Sequence, residues 1–288
     1  LCNQTQAARI QKWNNPETAR FLVDFWRGFW YRFVREQAVM VISVIIPTLN
    51  EEGNLPVTLR QLANHPEVEL IVVDGGSSDR TVNIAQGVTP YVFRAPANRA
   101  RQMNMGARHA TGDILMFLHA DTFLLPGALE EVQRRIIGDG AVGGAFDLHI
   151  DSRRRLCKLI ARVSSRRSRW LRLPYGNQGI FVWRQVFEAL GGFPEIPIME
   201  DVTFARRLRR AGRLTFIGSG LVTSGRRWNA NGVVRTTLVN WWVTVLFLLR
   251  VPPRQIRRIY DSWLVSGKPR RDRSELIPPN RKSLQEQR

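Results

Sequence analysis

Three apolar runs between Val41 and Leu118 each end in a polar, turn-forming cluster. VISVII leads into Pro47-Thr48-Leu49-Asn50-Glu51-Glu52. ELIVV leads into Asp74-Gly75-Gly76-Ser77-Ser78-Asp79, and ILMFL into His119-Ala120-Asp121. Short runs of this kind, rich in Val and Ile, read as strands buried on both faces. The intervals carry helical signals. Leu55, Leu59 and Leu62 share one face between Glu52 and Asn64, a short helix through Gln86 can be capped by Ser77, Ser78 or Asp79, and a third helix runs from Arg99 to Ala110. With a strand near Tyr91–Phe93, the order β-α-β-α-β-α-β predicts an α/β domain with a mostly parallel, Rossmann-like sheet flanked by helices. Such a sheet binds ligands at the carboxyl ends of its strands, where these polar clusters lie.

After Asp121 the pattern is mixed. Helices are predicted from Pro126 to Ile137 and from Leu156 to Trp170, a strand over Ala141–Ile150, a turn at Pro174–Gly179, a basic helix from Glu200-Asp201 to Ala211, and a late strand at Leu214–Ile217. Four regions follow. Residues 1–40 form a helical extension, in which Phe21, Phe25, Phe29 and Phe33 recur every fourth residue beside Arg20, Arg27, Arg32 and Arg35. It reads as a helix packed on the domain, as an interfacial membrane helix or as a disordered leader. Residues 41–230 form the main domain. Residues 231–267 hold the most apolar stretch, 233–249, which Arg235 and Asn240 interrupt and Pro252-Pro253 ends. It is short for a span, and reads first as a membrane-contacting or re-entrant helix, then as a packed core helix, and last as a true span. Residues 268–288, rich in Pro, Arg, Ser and Gln, read as a disordered basic tail.

The 288 residues carry 43 Lys and Arg against 24 Asp and Glu, a net charge of +19, which calls for an anionic partner: nucleic acid, a membrane surface or phosphorylated substrates. The basic residues are spread over helices and tails without a nucleic-acid motif, so no specific nucleic-acid partner is expected. The two cysteines, Cys2 and Cys157, form no CxxC, and the four histidines have no metal-ligand spacing. No signal peptide is evident, and a reducing, cytoplasmic setting is expected.

Individual residues admit two readings each. Asp74 can be a turn former or an acceptor of hydrogen bonds from a nucleoside. Asp121 can cap the next turn or, with diphosphate oxygens, hold Mg²⁺ or Mn²⁺. Asp201 can be a helix N-cap or a general base. Arg99, Arg101, Arg226 and Arg227 are surface charges or diphosphate clamps, and Trp228 stacks on a sugar or packs in the core.

In order and spacing the series resembles the family 2 glycosyltransferases of GT-A fold. Its pieces are PTLNEE at Pro47–Glu52, VVDGGSSDRT at Val72–Thr81, R-x-R-x-x-N-x-G at Arg99–Gly106, GDILMFLHADT at Gly112–Thr122, GGF at Gly191–Phe193 and ED at Glu200-Asp201. It is most similar to a small bacterial subgroup with an LHADT motif and a PYG-x-Q-G-I-F segment. The resemblance implies inverting transfer of one sugar from a UDP- or GDP-sugar to an acceptor hydroxyl. By the same resemblance Pro47, Thr48, Asn50, Glu52 and Asp74 line the donor site with Arg99, Arg101 and Asp121; Asp121 is the metal ligand and Asp201 the base. Gln178, Glu200, Arg227 and Trp228 would lie near acceptor and diphosphate. His119 replaces the first acid of the DxD motif, leaving one direct carboxylate ligand, and Ser224 stands where processive synthases carry glutamine. Single-sugar transfer is therefore expected over polymer synthesis. The aromatic N-terminal helix, the 233–249 stretch and the charge point to a lipid or isoprenoid acceptor, and to a peripheral position at the inner face of the cytoplasmic membrane. The remaining alternatives are a degenerate, non-catalytic GT-A scaffold and a basic nucleic-acid-binding protein.

Overall fold

The computed structural model describes residues 40–264, except 64, 66, 153, 227 and 229–231. The N-terminal helix and the basic tail expected from the sequence lie outside the described residues.

Strand β1 (Ile42–Thr48) is central. It pairs in parallel with β2 (Val68–Asp74) on one side and with β4 (Ile114–Phe117) on the other. Strand β3 (Val92–Arg94) adds in parallel outside β2. The chain therefore winds outward from β1 through β2 to β3, and then crosses to the far side of β1. That reversal opens a crevice beyond the carboxyl ends of β1 and β4. The strands are apolar on both faces: Ile42, Val44, Ile45 and Ile46 are all fully buried, beneath α1 (Leu55–Leu62), α2 (Thr81–Gln86) and α3 (Arg99–His109). Pro47 does not stop β1, as its sequence position suggests. The strand continues to Thr48, with Pro47 opposite Val73. Pairing with β4 ends at Ile45, so the proline lies past the doubly paired part of the strand.

The second half of the seven-stranded sheet, ordered β3-β2-β1-β4-β8-β6-β9, brings a distant segment to the same edge. Strand β8 (Ile180–Trp183) is antiparallel to β4, with Ile180 opposite Phe117. The residues entering β8, including a 3₁₀ turn at Gly176–Gln178, thus sit where β4 leaves the sheet. The strand expected over Ala141–Ile150 is two strands. β6 (Gly143–Phe146) pairs with β8 and with β9 (Leu214–Ile217), whereas β7 (Ile150–Asp151) belongs to a separate sheet ordered β5-β10-β7, with β5 at Thr122–Leu124 and β10 at Leu221–Ser224. β10 runs alongside β5, and the Ser224 N–H donates to the Asp121 carbonyl at 3.0 Å.

Helices α4 (Ala128–Gly138), α6 (Arg184–Ala189) and α7 (Glu200–Ala211) complete the main layers, and α5 (Arg155–Leu171) covers the small sheet. The apolar stretch forms α8 (Val233–Leu248). Pro253, expected to terminate it, opens a further helix, α9 (Pro253–Leu264), since proline suits a first helical turn. Among the described residues no helix is long and apolar enough to cross a membrane.

Helix α3 lies unusually close to the sheet because Gly106 lacks a side chain: a Cβ there would come within 2.5 Å of Ile45 Cγ2 and 3.2 Å of Val73 Cγ2. Gly106→Ala should cost about 1–3 kcal/mol through overpacking, read as a lowered urea midpoint at unchanged m-value.

Candidate active site

The loops after β1 and β2 are stitched into one unit. Asp74 is 1% exposed, and its carboxylate accepts from the Gly76 and Ser77 N–H groups (2.8 and 2.9 Å) and from Ser77 Oγ at 2.5 Å. Asn50, held at φ 55°, donates its N–H to Ser77 Oγ and accepts the Ser78 N–H, both at 2.9 Å. The Glu52 carboxylate accepts the Arg80 N–H, and its own N–H reaches Asp79. Asp74, Asn50 and Glu52 therefore shape the pocket wall by binding loop to loop. Thr48 is buried. Gln102, which the sequence did not single out, reaches from α3 and donates to the carbonyls of Thr48 (2.7 Å) and Val73 (2.9 Å), clamping the two strand ends.

Asp121 sits half-buried at the crevice. Arg226 Nη2 lies 3.9 Å from its carboxylate and 3.5 Å from that of Glu51. Burial pushes Glu51 above the ordinary carboxyl range, hydrogen bonding from Asn54 and the Arg226 charge pull it back, and the Asp121 charge raises it further. Glu52, expected in the donor site, joins the two loops, whereas Glu51, which the sequence reading did not single out, faces Asp121. Arg227 lies outside the described residues, and its neighbour Arg226 holds the position beside the acids.

The start of α7 supplies the other acids. Met199 takes the cap position in a left-handed conformation (φ 67°), so Asp201 is the second helical residue rather than the N-cap. Its carboxylate accepts the Gly176 N–H and the Val202 N–H, each at 2.7 Å. A Cβ on Gly176 would stand 3.2 Å from Asp201 Oδ2 and 3.4 Å from His119 Nε2, so the ends of β4 and α7 converge on this glycine. Glu200 is buried beside Asp201 and meets Arg99 Nη1 at 3.4 Å. Burial raises the Glu200 carboxyl; Arg99 opposes that shift and Asp201 adds to it. Burial works against the Arg99 guanidinium, but Glu200 and Asp201, with Tyr260 and Asp121, outweigh it and hold Arg99 above its usual range. Arg99 is thus the cation common to the acids of both halves.

Other expected residues are committed elsewhere. Arg101 pairs with Glu195 at 2.9 Å on the surface. Gln178 is buried, accepting from Ser168 Oγ and the Tyr175 N–H and donating to the Phe146 carbonyl, so it anchors the turn that carries Gly176. Trp228 is 8% exposed and packs with Leu148, Cys157, Ala161 and Val233, which is its core reading rather than a sugar platform. Asn104 exchanges two hydrogen bonds with Phe193, docking the GGF loop on α3.

Among the described residues the one group of three His, Cys, Asp or Glu donors close enough to share an ion is His65, Glu67 and Glu130, outside this crevice. At the crevice Asp121 and Glu51 offer hard oxygen donors around a position now shared by a guanidinium. That donor set suits Mg²⁺ or Mn²⁺ completed by substrate oxygens.

A doubly wound sheet with acidic side chains at its switch point, an antiparallel strand returning to that edge and a second acid on a following helix is the GT-A architecture. The chain belongs to glycosyl transferase family 2, whose model matches residues 43–190, half of its length. A PGL/p-HBAD biosynthesis glycosyltransferase of Mycobacterium bovis is 40% identical over 96 residues, covering 30% of this chain and 38% of that protein. The 4,4'-diaponeurosporenoate glycosyltransferase of Staphylococcus haemolyticus is 37% identical over 92 residues, 29% of this chain and 24% of that one. The chain spans less than half the length of these curated relatives. Among solved structures, S. aureus TarS residues 1–349 in complex with UDP-GlcNAc superposes with a TM-score of 0.53 at 19% identity, over 64% of this chain and 58% of that one, a likeness of fold.

Because Glu200 is raised in the folded state, its contribution to stability is full below the unfolded carboxyl range and is lost as pH rises through its folded pKa. The melting temperature of Glu200→Gln relative to the parent should therefore climb as pH increases from 4 to 8, measured by calorimetry across that range.

Proposed function

We propose that the protein transfers a single sugar, with inversion, from a nucleoside diphosphate sugar to the hydroxyl of a lipid-linked or isoprenoid acceptor at the inner face of the cytoplasmic membrane. The observation that carries this is the grouping of Glu200, Asp201 and Asp121 around Arg99, at the switch point of the sheet. In this reading the nucleoside lies against the stitched β1 and β2 loops, over Pro47, Thr48 and Asp74. Asp201 removes the acceptor proton, the freed oxygen attacks the anomeric carbon, and the bond to the diphosphate breaks on the opposite face. Two backbone N–H groups fix Asp201 in orientation, so its proton-accepting oxygen is positioned before the acceptor arrives. Arg99, and Arg226 once the donor phosphates enter, stabilise the leaving diphosphate. A divalent ion held by Asp121, with Glu51 alongside, would neutralise diphosphate charge.

Two comparisons support this reading. TarS is recorded with UDP-GlcNAc, and the S. haemolyticus relative is named a 4,4'-diaponeurosporenoate glycosyltransferase, after an isoprenoid carboxylate, which supports the isoprenoid class of acceptor. The scaffold alternative has less support, since a non-catalytic relative has no need of a buried acid pair held against an arginine.

Asp201→Asn should lower transfer by about 10²–10⁴-fold while leaving donor affinity within about two-fold, because the amide retains the position but not the basicity. Asp121→Ala should abolish the Mn²⁺-dependent part of donor binding. Calorimetry with UDP- and GDP-sugars, with and without Mn²⁺, reads both. Full transfer by the Asp201 variant would remove it as the base.

A further inference from the structure

Helix α5 has three faces. Cys157, Ala161, Ser165 and Ser168 point into the protein. Turned about half a revolution away, Leu159, Val163 and Trp170 point outward, and Trp170 is 85% exposed. Between them runs a basic row, Lys158, Arg162 and Arg166, one residue per turn. A helix in water presents polar residues outward; here the outermost face is apolar. Helix α8 repeats the arrangement: Val239 and Val243 are buried, and Leu238 and Trp241, each 61% exposed, stand on the opposite side with Val234, Val245 and Leu248.

The two helices lie side by side with matching direction. Cys157 and Ala161 near the start of α5 pack with Val233 at the start of α8. Near their other ends, Arg167 lies 3.7 Å over the Tyr175 ring, and the Tyr175 hydroxyl is 2.9 Å from Thr244 Oγ1.

The basic row borders a cleft of about 220 Å³ between α5 and the segment joining β6 to β7, lined by His149, Lys158, Arg162 and Arg166. The acid in its wall, Asp147, is taken by Arg169 at 2.8 and 3.0 Å. Lys158, Arg162 and Arg166 make no ion pair with any described residue. The cleft therefore has uncompensated positive charge, and an apolar row lies beside it on the same helix.

We propose that α5 and α8 together dock the protein on an anionic lipid bilayer, with the α5 cleft receiving a headgroup phosphate and the outward apolar rows entering the acyl boundary. The proposal rests on the membrane-bound acceptor of the function proposed above and names the surface and headgroup chemistry that deliver it. Charge complementarity selects the occupant. A protein interface is depleted of lysine at its centre, whereas a helix lying in a membrane interface combines Trp and Leu on one face with flanking Lys and Arg. Neither helix is long and apolar enough to span, so both would lie in the plane of the interface.

The test uses the whole 288-residue chain, sedimented with vesicles of phosphatidylcholine alone or mixed equally with phosphatidylglycerol. Binding should favour the anionic vesicles and fall with salt. The Arg162→Glu, Arg166→Glu double variant should lose at least about ten-fold in partitioning. Leu159→Ser with Trp170→Ser should weaken binding even at low salt, and circular dichroism and nucleotide-sugar calorimetry should match the parent for both. Undiminished vesicle binding by both variants would assign docking to other segments and overturn the proposal. So would displacement by inorganic phosphate beyond that by chloride of equal ionic strength, which would make the cleft a free-anion site, or a stable dimer that ignores vesicles. Vesicle docking with no donor binding in the parent would instead sink the functional reading and leave the docking surface standing.

Discussion

The parallel pairing of β1 with both β2 and β4 is the constraint from which the rest of the site follows. Its register puts Thr48 beside Asp74 and carries β4 toward Asp121 at the same edge. Polar backbone and carboxylates collect there because the strands below are apolar on both faces and leave no other place for them. The antiparallel return of β8 brings Gly176 to that edge, and Gly176 in turn orients Asp201. Three glycines tighten the geometry by allowing close approach: Gly106 for α3 on the sheet, Gly176 for His119 and Asp201, and Gly179 entering β8 at φ 58°.

Electrostatics then decide how the crevice can be used. Glu51 faces Asp121, and Glu200 and Asp201 share Arg99 with Asp121; the described cations acting on these acids are Arg99, Arg226 and, on Glu200, Arg257, which is itself paired with Asp261. Four carboxylates against these guanidiniums leave excess negative charge, while burial, with a smaller push from the neighbouring acid, raises Glu51 and Glu200. A bound diphosphate would worsen that balance unless a divalent cation came with it, the condition under which Asp121 and Glu51 become ligands rather than repelling neighbours. Arg226 is exposed and holds its acids at 3.5 and 3.9 Å, loose contacts that can be exchanged for phosphate oxygens at small cost.

The parallel half of the fold was legible because its signals are local: continuous apolar runs, periodic leucines and glycine-rich stops. Strand β8 was missed because IFVW is four residues long and its pairing partner lies more than sixty residues earlier, a purely tertiary fact. The stretch from Ala141 to Ile150 reads as one strand, but after Phe146 the ladder to β9 ends and the chain leaves for another sheet. At the site, Asp121 and Asp201 stood out through motif spacing. Glu51 did not, because in two adjacent glutamates only the loop's conformation decides which faces inward. Gln178 and Trp228 show the opposite failure: both fall within recognisable motifs, and both are consumed by packing.

The outward helices and the acids at the start of α7 pack as one assembly. The buried face of α8, through Val239 and Val243, packs with Ile256 of α9 on Met199 and Val202, the residues that bracket Glu200 and Asp201. Tyr260 of α9 adds to the field on Arg99. Helix α8 therefore stands between Asp201 and the outward apolar face. In the docked orientation proposed above, an acceptor hydroxyl carried at the headgroup level of a bilayer would lie on the α8 side of Asp201. A soluble acceptor would gain nothing from an outer face of Val, Leu and Trp. The apolar exterior is costly for a protein that stays in water, and it is explained if the membrane is the surface from which the second substrate arrives.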